Sequence, residues 1–134
     1  HVVPALLRKC HEAHVNNEEY MEVWGTGDVR REFLYVDDCA AGIIFLLKNY
    51  SDTGHINLGT GSDILIKDLV ERIKTTIGFA GKLKFDTSKP DGTPSKLLNT
   101  EHINKMGWKA EMSLEKGLAD TYQYFLREWN SIHS

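Results

Sequence analysis

The chain is 134 residues long, 41% apolar and 26% charged, with a formal net charge of -3. That length is enough for one compact domain with its own core, and the slight acidic balance excludes the clustered basic excess of a nucleic-acid surface. Two cysteines are too few for a disulfide framework, the longest apolar run, about Ile43 to Leu47, is far short of a membrane span, and no basic-then-apolar leader opens the chain; the expectation is a soluble, cytoplasmic protein whose Cys10 and Cys39 are reduced and buried.

In chain order, residues Pro4 to about Val15 place Ala5, Leu6, Leu7, Cys10 and Ala13 at roughly helical spacing, with Pro4 near the first helical position. Tyr20 to Trp24 alternates as a short strand, the glycine turn from Gly25 to Arg30 follows, and Glu32 to Val36 predicts a second strand. Asp37 or Asp38 is then expected to cap a helix running to about Asn49, in which Ala40, Ala41 and Gly42 form a small-residue face suited to packing on a sheet. His55 to Gly59 reads as a short strand, Ile66 to Ile77 as a helix ended by Gly78, and Lys82 to Asp86 as a strand. Ser88 to Ser95 is a loop stiffened by Pro90 and Pro94; Glu101 to Met106 and Leu114 to Trp129 are helical. Helices alternating with short strands give an α/β or α+β class.

The densest punctuation lies between Trp24 and Asp38. Gly25 and Gly27 permit positive φ and close approach to the backbone, while Arg30 and Arg31 can fork onto phosphate oxygens, so the stretch reads as an anion-binding turn. A β-hairpin with solvated arginines fits the same spacing. Gly25-Thr26-Gly27 is not a dinucleotide fingerprint, because Arg30 stands where a third glycine is needed and no βα pattern surrounds it. None of the five tyrosines has a lysine four residues on. His11 and His14 are spaced i,i+3 and do not form the metal pair of H-E-x-x-H, so no metal is expected. His55 is expected to be structural.

Two stretches, Arg31-Glu32-Phe33-Leu34-Tyr35-Val36-Asp37-Asp38 and Asn57-Leu58-Gly59-Thr60-Gly61, resemble the C-terminal half of the extended short-chain dehydrogenase/reductases that remodel nucleotide-activated sugars. Within that superfamily, His1 to Leu7, Ser88 to Pro94, Lys96-Leu97-Leu98 and Thr121 to Leu126 resemble the epimerase/reductases that form GDP-L-fucose from GDP-4-keto-6-deoxy-D-mannose with NADPH. The resemblance implies an α/β fold comprising the substrate-binding lobe plus the last strand-helix-strand of a Rossmann sheet. Residues 31–61 would be the end of that sheet and residues 1–30 and 62–134 the substrate lobe of a single region. It also implies that the chain is a cut through a larger protein whose NADP-binding part, with its glycine-rich turn and Tyr-x-x-x-Lys pair, lies upstream. Activity of the chain alone is then not expected, and the full-length enzyme is expected to be a homodimer.

Residue by residue, the resemblance implies that His1 is a general acid that also touches the cofactor, a task suited to an imidazole whose pKa lies near working pH. Arg31 and Lys89 match cations that hold the nucleotide-sugar diphosphate, and Trp24 an aromatic wall of its pocket, although a strand-end tryptophan is as often core. Val2, Leu6 and Lys9 would line the side wall; Lys9 stands where relatives carry an arginine, and a lysine cannot fork. The loop Pro90-Asp91-Gly92-Thr93 would face the ligand. The same residues leave open another nucleotide-sugar epimerase or dehydratase, or a non-catalytic nucleotide-sugar-binding or interaction module.

Overall fold

The computed structural model describes residues 1–134 and has a mixed α/β architecture. Five helices, α1 (Val2–Val15), α2 (Val36–Asn49), α3 (Ile66–Ile77), α4 (Glu101–Met106) and α5 (Leu114–His133), are joined to five strands. The strands are β1 (Tyr20–Trp24), β2 (Arg30–Arg31), β3 (Ile64–Leu65), β4 (Lys82–Asp86) and β5 (Ser95–Lys96). β1 and β4 pair in parallel, Tyr20 opposite Lys82 and Trp24 opposite Asp86. β2 lies between β3, which is antiparallel to it, and β5, which is parallel. β1 and β2 are therefore not the two arms of a hairpin, and the hairpin reading of the glycine turn is set aside.

α3 carries the core. Its buried residues Ile66, Leu69, Val70, Ile73 and Ile77 recur at helical spacing, face α1 and α5, and are joined by Met21 and Val23 from the inner face of β1. Gly78 ends the helix in the left-handed conformation at φ 84°. α5 starts at Ser113, whose side chain accepts from the Lys116 amide, and runs four residues past the predicted Trp129, through Asn130–His133.

Several expectations fail for identifiable reasons. Phe33 to Tyr35 forms no strand, because the ladder is made by Arg30 and Arg31 instead. His55 to Gly59 likewise has no ladder partner in this chain and is irregular, with His55 exposed. α2 begins with Tyr35 at the cap position, so Asp37 and Asp38 lie in its first turn, where carboxylates favour the positive end of the helix dipole; the Asp38 carboxylate accepts instead from the Met112 amide at 2.9 Å. Gly42 is the one buried residue of α2, and it meets Leu58 and Trp108, side chains outside both sheets. Pro4 is the third helical residue of α1, not the first. Cys10 is buried, which pushes its thiol up to about 11 against a smaller opposing effect of Lys74; Cys39 is only half-buried. No helix is long and apolar enough to cross a membrane.

His11 sits in the core between α1 and α5. Its Nδ1 lies 2.9 Å from the Tyr122 hydroxyl, the rings of Phe125 and Trp129 pack edge-on, and its Nε2 is buried without a partner. Burial lowers its pKa below the ordinary 6.5, with His14 and His133 acting in the same direction and Glu12 opposing. Below pH 6.5 the unfolded chain therefore takes up a proton that the folded ring resists, so stability rises with pH through that window and is flat with respect to this group above it. Urea midpoints at pH 5 and pH 7.5 should differ by less in His11→Asn than in the parent chain; an undiminished difference would assign the dependence to other groups.

Candidate functional site

β1 and β4 run side by side, so the turn after β1 (residues 25–29) and the loop after β4 (residues 87–94) emerge at the same edge of the sheet. This is the end of a parallel sheet at which ligands are usually held. Between these loops and α1 lies a cavity of about 250 Å³ lined by Val2, Leu6, Lys9, Trp24 and Arg31, among others. The structure thus brings together five of the residues singled out from the sequence. Lys89 joins them from the open side. The ammonium groups of Lys9 and Lys89 lie 5.3 and 5.2 Å from the centroid of the Trp24 ring, within cation–π range. Trp24 is 62% exposed and is a wall of the site, not part of the core. His1 is placed apart: it occupies the cap position of α1, exposed and outside the residues lining the cavity.

Arg31 is oriented before any ligand arrives. Its Nη1 donates to the carbonyls of Arg30 at 2.7 Å and Thr93 at 2.6 Å. Nε and Nη2, the other edge of the guanidinium, donate no hydrogen bond within the chain. A planar fork anchored on one side and open on the other is suited to a diphosphate. Arg30, by contrast, is committed to Asp63 at 2.9 Å.

The glycine turn does bind an anion, but the anion is the protein's own. Asp91 accepts from the Thr26 amide at 2.8 Å and the Thr26 hydroxyl at 2.7 Å. Gly25, at φ +88°, makes room for it: a Cβ there would lie 2.2 Å from Asp91 Oδ1. The hydroxyl bond first, then the amide bond, hold the Asp91 carboxyl below its usual range. Asp91 thus bonds the turn while also lining the cavity, on the side where the sequence reading expected its loop. The second glycine turn is filled in the same manner, with Glu32 accepting from the Gly61 amide at 2.6 Å, the Thr60 hydroxyl at 3.1 Å and the Leu98 amide at 3.2 Å. A dinucleotide pyrophosphate needs such a turn open and leading into a helix N-terminus. Both turns here are occupied by carboxylates, so neither is open to the pyrophosphate of NADP.

A larger cavity, about 770 Å³, adjoins the first across Arg31 and is bordered by Glu32, Tyr35, Thr60, Arg72 and Met112. Arg31 to Val36 line it as one contiguous run and Thr60 borders it, so both stretches singled out from the sequence, Arg31 to Asp38 and Asn57 to Gly61, contribute to its wall. A further sequence signal is Gly117, a mid-helix glycine in α5 where a Cβ would lie 3.4 Å from both the Tyr35 ring and Met112.

The NAD dependent epimerase/dehydratase family matches residues 1–59. The chain is 50% identical over 126 residues to the probable GDP-L-fucose synthase 1 of Oryza sativa subsp. japonica, covering 94% of this chain and 38% of that protein. It is 47% identical over 135 residues to the GDP-L-fucose synthase of Escherichia coli (strain K12), covering 94% of this chain and 42% of that one. The crystal structure of a GDP-L-fucose synthetase from Naegleria fowleri bound to NADP superposes with a TM-score of 0.91 at 29% identity, over 97% of this chain and 41% of that chain. The chain therefore spans about two fifths of the length of these relatives.

Proposed function

We propose that this chain is the nucleotide-sugar-binding part of an NADP-dependent epimerase/reductase that forms GDP-L-fucose from GDP-4-keto-6-deoxy-D-mannose, and that it corresponds to the C-terminal portion of such enzymes. The carrying observation is the group of cations at one cavity: Lys9 and Lys89 lie over the exposed Trp24 ring, and Arg31 lines the same cavity. A nucleoside diphosphate brings about two negative charges and a stackable base, and the site offers forked and point cations beside an indole. The names of the relatives, similar over 94% of the chain, support guanosine as the nucleoside.

In this reading residues 31–61 complete the dinucleotide-binding sheet, and residues 1–30 and 62–134 form the substrate lobe. His1, one residue from Val2 at the cavity rim, serves as the proton donor and cofactor contact. NADP supplies the hydride for reducing the 4-keto group; apart from the His1 contact, its pyrophosphate is held by residues outside this chain, since the two glycine turns here are filled by Asp91 and Glu32. The whole enzyme is a homodimer acting in the cytoplasm. α2 agrees with a larger assembly: Val36, Ile43, Ile44 and Leu47 are exposed along it, as expected of a helix that normally covers a sheet.

The test is a calorimetric titration of the 134-residue chain with GDP and with UDP. GDP should bind and UDP bind more weakly; equal or absent binding would favour an interaction module instead. The same chain should show no oxidation of NADPH in the presence of GDP-4-keto-6-deoxy-D-mannose, and turnover clearly above a buffer control would mean that the cofactor site has been misplaced.

A further inference from the structure

Resting on the nucleotide-sugar reading above, we infer that Asp91 and Thr26 form a latch that positions Lys89 over Trp24, making Asp91 a positioning residue for ligand binding. The loop after β4 is tied down on both sides of Lys89. Upstream, the Asp86 carboxylate accepts from the Ser88 amide at 3.1 Å and from the Ser88 hydroxyl, and the Asp86 carbonyl accepts from the Lys89 amide at 3.2 Å. Downstream, the Thr93 carbonyl accepts from Arg31 at 2.6 Å and the Pro94 carbonyl from the Arg30 amide at 2.9 Å.

Between these ties, Lys89 to Gly92 has one anchor to the neighbouring turn, the paired bonds from Thr26 to Asp91 at 2.8 and 2.7 Å. The Thr26 hydroxyl also accepts from the Asp28 amide at 3.1 Å, so the latch is continuous with the turn that leads into Arg31. Both cations that would meet a diphosphate are thereby held on one rigid frame: Arg31 by Thr93, and Lys89 two residues before Asp91. The exposed Lys89 side chain has four rotatable bonds, and a fixed backbone beneath it reduces the ordering required when a ligand binds.

Paired measurements on the 134-residue chain test this. Amide hydrogen exchange should show the Thr26 amide protected, with protection lost in Asp91→Ala, and calorimetry should show GDP affinity lower by about 5- to 20-fold in Asp91→Ala and by a smaller factor in Thr26→Val, which removes the hydroxyl bond but keeps the amide bond. Thr26→Ser keeps the hydroxyl and should bind GDP as the parent does. The double variant should bind no more weakly than Asp91→Ala alone, because the Thr26 hydroxyl acts through the same carboxylate. Unchanged Thr26 protection in Asp91→Ala would overturn the latch itself. Lost protection with unchanged GDP affinity would overturn the positioning role and leave the nucleotide-sugar reading standing. Protection lost in Asp91→Ala together with a parent chain that binds no GDP would overturn that reading, and the positioning role with it, while the latch remained as a structural feature.

Discussion

Replacing Arg31 with alanine is expected to weaken GDP binding by about 1.5–3 kcal/mol, a loss of roughly ten- to 150-fold in affinity. The figure is that for removing a charged hydrogen bond from a partly desolvated site, and Arg31 is half-buried between two cavities. The pre-orientation of the side chain is what makes the upper half of this range accessible. Two carbonyls, those of Arg30 and Thr93, already hold Nη1, so little rotamer freedom remains to be lost on binding. Arg31→Lys retains the charge but not the fork, and an ammonium cannot bond both carbonyls and still present an edge to a diphosphate. It should recover only a minor part of the affinity. Full recovery by lysine would mean that the site recognises charge alone, and a calorimetric loss well below tenfold in Arg31→Ala would mark Arg31 as solvated surface.

The parts of the fold legible from sequence are those whose signal is local. β1, α3, β4 and α4 are each found at the predicted bounds because each carries its own periodicity, and α3 and α4 end at glycines with positive φ. The misses share one cause. Glu32 to Val36 and His55 to Gly59 have strand-like composition, but a strand exists only through its neighbour, and this chain provides those segments with none. The dipeptide Arg30-Arg31, with no strand pattern of its own, becomes a strand because Leu65 and Ser95 come to lie on either side of it.

The candidate site divides in the same way. Trp24, Arg31 and Lys89 were legible as residue types beside a glycine turn or in a proline-stiffened loop. Their convergence with Val2, Leu6 and Lys9 depends on the parallel pairing of β1 with β4, which no local pattern announces. Least legible was the occupancy of the glycine turns. Asp91 lies 65 residues from Thr26 and Glu32 lies 29 from Gly61, so a turn that reads as open to a phosphate is closed by a carboxylate from elsewhere in the chain.

That second closure predicts a large effect on stability. Glu32 gathers three segments through one carboxylate: Oε2 accepts from the Gly61 amide and Thr60 hydroxyl, and Oε1 from the Leu98 amide. Gly59 is shaped to it as Gly25 is to Asp91, since a Cβ there would lie 2.8 Å from Glu32 Oε2. Glu32→Ala removes the shared acceptor and leaves three donors to find water. Partial exposure limits the penalty, and the expected loss is about 2–3 kcal/mol. For a domain of this size that corresponds to a melting temperature lower by roughly 8–12 °C. Glu32→Gln should be only partly milder, because its amide nitrogen must face a backbone N–H at one end or the other, opposing donor to donor. The sequence neighbour of Glu32 is Arg31, so the same change should also loosen the guanidinium and lower GDP affinity, whereas a substitution at the exposed Lys89 should lower affinity without moving the melting temperature. A thermal shift under about 2 °C in Glu32→Ala would show that water replaces the carboxylate at little cost, and that the turn at Gly59 to Gly61 is held by other contacts.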